Sequence, residues 1–358
     1  MSSTWGNNIK VSIFGESHGE AIGTVLEGVP AGQKINFSDI IRQLNRRRPR
    51  NDVFTTSRKE TDNFKILSGI FKGYTTGAPI CAMFYNEDAD SSQYKDLVFR
   101  PGHADYTAHI RYRGFEDYRG GGHFSGRLMC PLVFAGSICR QILERKGISI
   151  GSHISSIGNI NDELFDPVKI SKNVLEILSQ SEFPVINQEI KSIIERKILS
   201  IKSQGDSLGG TIECAVVGAP AGMGDPIFDN VESKISSIIF GIPAVKGIEF
   251  GRGFESSKIL GSENNDKYIL KEGKICTETN NHGGILGGIS SGMPIIFKVA
   301  FKPTPSIGKK QITIDAKNNS EKILELSGRH DPCIVLRAAP IVEAAAAIAI
   351  LDIVIKDV

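Results

Sequence analysis

The chain's six cysteines form no Cys-x-x-Cys pair and no Cys/His spacing of the zinc kind, which removes zinc ribbons and dithiol redox motifs at the outset. Most lie in apolar runs and read as small buried hydrophobes. No uninterrupted apolar stretch reaches membrane-spanning length, and the opening residues MSSTWGNNIKVSIFG lack a signal-peptide core. The expectation is a cytoplasmic protein with no membrane partner. Net charge is nearly absent too: 42 Lys+Arg stand against 40 Asp+Glu, leaving +2. No global field recruits nucleic acid, so basic residues matter only where they cluster.

They cluster in one place above all. Phe99 to Arg127 holds Arg100, Arg111, Arg113, Arg119 and Arg127, with three of the seven histidines, His103, His109 and His123. Its apolar residues keep neither a helix nor a strand period for long, and Gly120-Gly121-Gly122 cannot pack a core. Ordering such a segment costs conformational entropy, so an anionic or catalytic purpose competes with a solvated basic loop. A second cluster, Arg46-Arg47-Arg48 and Arg50, ends a helix predicted over 39–46, with Ser38 as its cap and Pro49 beyond its end. Cations suit a helix C-terminus, but four arginines in five residues exceed that need.

Strands are predicted at 9–14, 22–29, 64–71, 78–84 and 148–157. Helices are predicted at 131–146, 171–178, 185–199, 229–240 and 340–355. Three echoes recur in the same order. Gly23-Thr24 with Gly28-Val29-Pro30-Ala31-Gly32 matches Gly210-Thr211 with Gly218-Ala219-Pro220-Ala221-Gly222. Gly69-Ile70 with Thr75 to Ile80 matches Gly288-Ile289 with Ser290 to Ile295, and the Pro131 helix matches the Pro340 helix. The reading is one domain over 1–358 with two similar halves, about 1–150 and 204–358, and a helical insertion at about 160–203. The last helix is apolar nearly all round, except for Glu343 and Asp352, and must be covered on both sides. The predicted class is therefore α+β: a β-α-β sandwich with a central helical layer between two antiparallel sheets. A doubly wound parallel sheet is disfavoured because strand–helix alternation is missing.

Gly15-Glu16-Ser17-His18-Gly19 matches the Gly-x-Ser-x-Gly nucleophile elbow, but that motif needs a strand-to-helix turn, and here a strand follows. A serine hydrolase using Ser17 is the weaker reading, and His18 at a hairpin tip is an acid or base candidate. His282-Gly283-Gly284-Ile285-Leu286-Gly287-Gly288 is neither a Walker loop nor a dinucleotide fingerprint. It reads either as a turn or as a cradle for a ring or phosphate. Lys302 to Ser306 adds a cation and hydroxyls, and Gly328-Arg329-His330-Asp331-Pro332 precedes the last helix. Arginines for a multiply anionic ligand and histidines for proton transfer point to an enzyme acting on a small phosphorylated acid. Nothing points to a metal or a cysteine nucleophile.

Five collinear blocks resemble the chorismate synthase family over essentially the whole chain: Gly15 to Gly19; Arg100 to Thr107; Gly122-His123-Phe124-Ser125-Gly126-Arg127; Asn281 to Gly292; and Arg329 to Cys333 running on to Glu343. The resemblance implies a carbon–oxygen lyase that converts 5-enolpyruvylshikimate 3-phosphate into chorismate and phosphate by 1,4-anti elimination. It requires reduced FMN without net redox change. Position by position it implies His18 as proton donor to the departing phosphate, His103 as the residue protonating the reduced flavin, and Asp331 as an aid to proton removal at flavin N5. Arg47, Arg100 and Arg127 would clamp the substrate's anions. Flavin contacts would come from His123, Phe124, Ser125, Pro243, Ala244, Gly287, Lys302, Pro303, Thr304, Pro305, Ser306 and Arg329. The family also implies a homotetramer. Departures are Val53, where many members carry Arg at a position tied to NADPH contact or substrate binding, His123-Phe124 for a common Arg-Ser, and Met129 for Ser or Thr. None removes a catalytic group.

Overall fold

Two five-stranded antiparallel sheets enclose a layer of helices in the computed structural model, which describes residues 3–49, 54–55, 60–92, 94, 97–326 and 331–355. The first sheet holds β1 (Thr4–Trp5), β2 (Lys10–Gly15), β3 (Ala21–Glu27), β4 (Phe64–Ser68) and β5 (Ile80–Tyr85), in the order β1-β2-β3-β5-β4. The second holds β6 (Ser149–Ile157), β7 (Ile160–Asn161), β8 (Gly210–Val217), β9 (Val245–Phe250) and β10 (Ile295–Phe301), in the order β7-β6-β8-β10-β9. The α-helices longer than one turn among the described residues are α1 (Phe37–Arg47), α2 (Asp105–Tyr112), α3 (Met129–Arg145), α4 (Lys172–Gln180), α5 (Lys191–Ser203), α6 (Val231–Ile239) and α7 (Ala339–Val354). Among them α3 and α7 form the centre of the sandwich, with α1 and α6 packed beside them. The sandwich expected from the unbroken apolar face of the last helix is the fold observed.

The sheets share one connectivity. The chain runs β2-β3-α1-β4-β5-α3 and then β6-β8-α6-β9-β10-α7, and each set of four strands pairs in the same order. Side-chain bonds repeat as well. Thr75 Oγ1 donates to the Pro30 carbonyl at 2.6 Å and accepts from Gln33 N at 2.9 Å, while Ser290 Oγ donates to the Pro220 carbonyl at 2.6 Å and accepts from Met223 N at 2.9 Å. We propose on this ground that the two units are diverged copies. The equivalence places β6 at the start of the second unit, so the border lies near Gly147 and the 160–203 segment is inserted within that unit. Thr76 N bonds Gly69 O as Ser291 N bonds Gly284 O, so the partner of Gly69 is Gly284 rather than Gly288.

Local chemistry moved several boundaries. Asn36, not Ser38, caps α1 by accepting from Asp39 N. The second insertion helix begins at Lys191, after a short 3-10 turn at Gln188–Ile190. A helix, α2, also forms inside the strip that showed no clear period.

Each polar residue of α7 ties the helical layer to a neighbour. Buried Glu343 accepts both arms of the Arg46 guanidinium, at 2.5 and 2.9 Å, and Oγ of Ser152 on β6. Asp352 accepts the backbone N–H groups of Asn7, Asn8 and Ile9 and pairs with Lys234. The helices α3 and α7 meet at Gly136, where an added Cβ would lie 2.4 Å from Ala344. Gly136→Val should therefore overpack the seam and cost on the order of 3 kcal/mol, read as a lower denaturation midpoint with an unchanged m-value.

The insertion is fastened to the second sheet by a buried histidine. His153 Nδ1 faces Asp162 at 3.1 Å and Nε2 faces Glu213 at 2.8 Å, while Asp162 also accepts from Ile186 N and Asn187 N. Burial disfavours the imidazolium, but hydrogen bonds from Asp162 and Glu213 outweigh it and hold the pKa above its ordinary value. A raised folded-state pKa gives stability that is complete below about pH 6.5 and is lost as pH rises through the folded value. His153→Gln should be less stable than the parent at pH 6, and the gap should narrow towards alkaline pH in urea titrations.

Candidate active site

A cleft of about 1110 Å³ opens between the two units and receives corresponding segments from both. The C-terminal end of α1 brings Arg47, and that of α6 leads into Pro243 and Ala244. The connection from β5 to α3 brings Arg100, His103, His123 to Ser125 and Arg127. The matching connection from β10 to α7 brings Lys302, Thr304 to Ser306 and Asp331. His18 enters from the β2–β3 hairpin. The structure thus gathers on one surface most of the residues singled out above. Pro303 and Gly287 are not among the lining residues, and Arg329 and Val53 lie outside the described residues.

Gly287 is absent for a definite reason. The loop from Gly283 to Gly292 is a tight hairpin, Ile285–Leu286 against Ile289–Ser290, with Gly287 and Gly288 at its corner. It is the counterpart of Ile70–Phe71 against Tyr74–Thr75 in the first unit. Positive φ at both corner residues demands glycine-like freedom, so the loop is a hairpin turn whose corner stands apart from the lining of the cleft. The nucleophile-elbow reading fails. The motif joins two antiparallel strands, and Ser17 is fully buried with its N–H on the Gly122 carbonyl.

The three glycines of the strip have a job that sequence alone did not disclose. Gly120 abuts His18, where a Cβ would come within 2.2 Å of the ring, and Gly121 abuts His103, where it would lie 3.1 Å away. All three take positive φ. The backbone between α2 and α3 is thereby the floor on which both histidine rings rest. His18 Nδ1 bonds Ser91 Oγ at 2.7 Å, and its ring meets Tyr94 edge-on.

His103 belongs to a hydrogen-bonded trio. Its Nδ1 lies 2.6 Å from Asp105 Oδ1, and the Arg100 guanidinium holds the same carboxylate through Nε and Nη2 at 2.8 and 2.7 Å. Burial works against the Asp105 charge, but the bonds from Arg100 and His103 prevail and keep its pKa far below the usual carboxylate range. A fixed carboxylate on Nδ1 turns the opposite edge of the imidazole outward. Arg100 also reaches Ser306 Oγ at 3.3 Å, so the trio links the two connections.

At the other end, Asp62 sits almost fully buried between Arg47 and Arg127. Arg47 Nη2 donates to its Oδ2 at 2.5 Å, and Arg127 Nη1 donates to its Oδ1. Burial raises the cost of the Asp62 charge, but Arg47 and Arg127 outweigh it and its pKa falls. Arg127 is braced further by Asn86 Oδ1 at 3.0 Å. Asp331 accepts from Arg337 Nη1 at 2.6 Å, and Arg337 Nε donates to the Arg47 carbonyl at 2.8 Å. Asp62, Asp105 and Arg337 escaped the sequence reading because each lies in an unremarkable context; only the fold brings them to the clamps. The signal for Asp105 was its place two residues after His103.

Two buried donors in this cleft have no hydrogen-bond partner among the described residues, Arg47 Nε and the Thr304 hydroxyl. An unsatisfied buried donor costs about 1–3 kcal/mol, so both point to a ligand. Burial pushes the thiols of Cys130 and Cys333 up to about 12.

A family model described as chorismate synthase matches residues 9–355. The chain belongs to the chorismate synthase family. Chorismate synthases of Pyrococcus abyssi and Dehalococcoides mccartyi are 46% and 43% identical to it over 351 and 358 residues, covering 97% and 99% of this chain and 96% and 97% of their own. A crystal structure of a chorismate synthase superposes with a TM-score of 0.77 at 27% identity, over 99% of this chain and 93% of that one. Its fold is that of the chorismate synthases, α+β with antiparallel sheets. None of the helices among the described residues is long and apolar enough to cross a membrane.

Proposed function

We propose that this chain is a chorismate synthase acting on 5-enolpyruvylshikimate 3-phosphate with reduced FMN, as a cytoplasmic homotetramer like its family. One observation carries the reading: two histidines, three clamp arginines and Asp331, drawn from both units, converge on one cleft that contains unsatisfied buried donors. The reaction breaks the C3–O bond and removes a C6 proton, forms a C–C double bond, and leaves no net oxidation. The substrate carries a phosphate and two carboxylates, matched by Arg47, Arg100 and Arg127. His18 is set on the Ser91 hydroxyl and the Gly120 floor to give its proton to the departing phosphate. His103, oriented by Asp105 at Nδ1, would supply a proton to the reduced flavin. Asp331 would aid proton removal at flavin N5.

The residues present fit a flavin. Ala244 adopts φ +72 with only a methyl side chain and lines the cleft beside Pro243, its carbonyl bonded to Lys302 N. Thr304 offers an unsatisfied hydroxyl, and the paired rings of Tyr112 and Phe124 line the cleft. Reduced flavin, when bound, supplies electron density to the allylic system and an acceptor for the C6 proton. Val53, in place of a common arginine, argues against an intrinsic NADPH-dependent flavin reductase activity.

The test is anaerobic incubation of the purified protein with photoreduced FMN and the substrate. Release of phosphate and chorismate in equal amounts is expected. Tight substrate binding without phosphate release would leave a binding protein and sink the reading. A serine-directed probe should fail to label buried Ser17.

A further inference from the structure

Arg337 is the last residue of a 3-10 turn, Ile334–Arg337, that leads into α7. It lines the cleft, yet its side chain is only 14% exposed. Two of its donors are committed: Nη1 to Asp331 Oδ2 at 2.6 Å and Nε to the Arg47 carbonyl at 2.8 Å. The second bond crosses the seam and lands on the final residue of α1, where a helix leaves its carbonyls without intrahelical partners. One planar fork therefore fixes the carboxylate of the second unit against the backbone of a clamp arginine of the first. A lysine has the charge but not two donors at that separation. The energetic setting agrees: burial, followed by the opposing pull of Asp331 and the repulsion of Arg47, leaves the Arg337 pKa below its ordinary value. A buried guanidinium held at such a cost is retained for position.

We propose that Arg337 is the positioning residue for Asp331, setting its carboxylate relative to Arg47 while binding no part of the substrate itself. The inference rests on the chorismate synthase reading above. A four-member cycle tests it: parent, Asp331→Asn, Arg337→Ala and the double variant, with Arg337→Lys beside them. Arg337→Ala should lower kcat by on the order of 10²-fold with KM for the substrate within about 3-fold, since a displaced acid or base loses its catalytic factor. In the Asp331→Asn background the same change should lower kcat by less than about 3-fold, because the two residues act as a unit. Arg337→Lys should recover little, and added methylguanidinium should partly restore Arg337→Ala. Melting of the flavin-free proteins gives an independent readout, in which the two single changes should be strongly non-additive. Additive losses in kcat, or a rise in KM with kcat unchanged, would overturn the proposal and make Arg337 a substrate clamp. If the parent itself releases no phosphate, the functional reading has failed; if it does and Arg337→Ala matches it, this inference alone has failed.

Discussion

His18→Ala is expected to lower turnover by about 10²-fold or more, the usual share of a positioned proton donor, and Gly120→Ala to do nearly the same with the histidine intact. An added methyl at Gly120 would lie 2.2 Å from His18 Cδ2 and 2.3 Å from Nε2. No Cβ survives at that separation, so the ring must leave its place on Ser91. Because the clash is with the end of a side chain, the fold should tolerate it. Gly73→Ala is the control. It has the same left-handed backbone, φ +81, but open space where the methyl would go. Its turnover should match the parent, while Gly120→Ala should lose activity with a circular dichroism spectrum unchanged. Full activity in Gly120→Ala would mean that His18 is not held where catalysis needs it.

Arg127→Ala should act twice. It removes a charged hydrogen-bond partner from the substrate's anions, worth roughly 1.5–3 kcal/mol or on the order of 10- to 100-fold in KM. It also leaves buried Asp62 with Arg47 alone and withdraws the cation 3.7 Å from buried Glu60. Stranding buried carboxylates costs about 3 kcal/mol or more. Stability should therefore fall together with affinity. Asp62→Asn separates the two effects, since it removes the charge that anchors both clamps and leaves the clamps themselves. It should weaken substrate binding less than Arg127→Ala does. If Arg127→Ala binds substrate as the parent does, the clamp assignment is wrong.

What the sequence made legible, and what it hid, divides along a physical line. Period, caps and turn residues are local, and they located β3, β5, α3 and α7 to within a few residues. The apolar girth of α7 was enough to require a sheet on either side. The motifs that face the cleft were visible because histidine and arginine in glycine-rich surroundings have little structural reason to be there. Hidden were the residues whose meaning lies in a distant partner. Asp62 sits in a plain polar stretch, and Arg337 follows an apolar run with nothing nearby to mark it. The arginines after Asn45 looked like one cluster, yet they divide: Arg46 serves Glu343 in the core, Arg47 the cleft, and Arg48 bonds Asn45 on its own helix. Helical phase sends neighbours in different directions, and no count of charges reveals that.

The same β-strand connection is spent differently in the two units. Between β2 and β3 it is a short tip that presents His18; between β6 and β8 it is the long segment 158–209 that carries α4, α5 and Asp162, the partner of His153 on β6. A chain of half this length, pairing with its own copy, would offer the cleft two identical walls. Any residue gained on one wall would then appear on the other, so an acid and its opposing base could not be set independently. Fusing the copies lifts that constraint. One wall carries His18 and His103, the other Asp331 and Thr304. A cleft with such a broken mirror can present different chemistry to the two faces of one small ring.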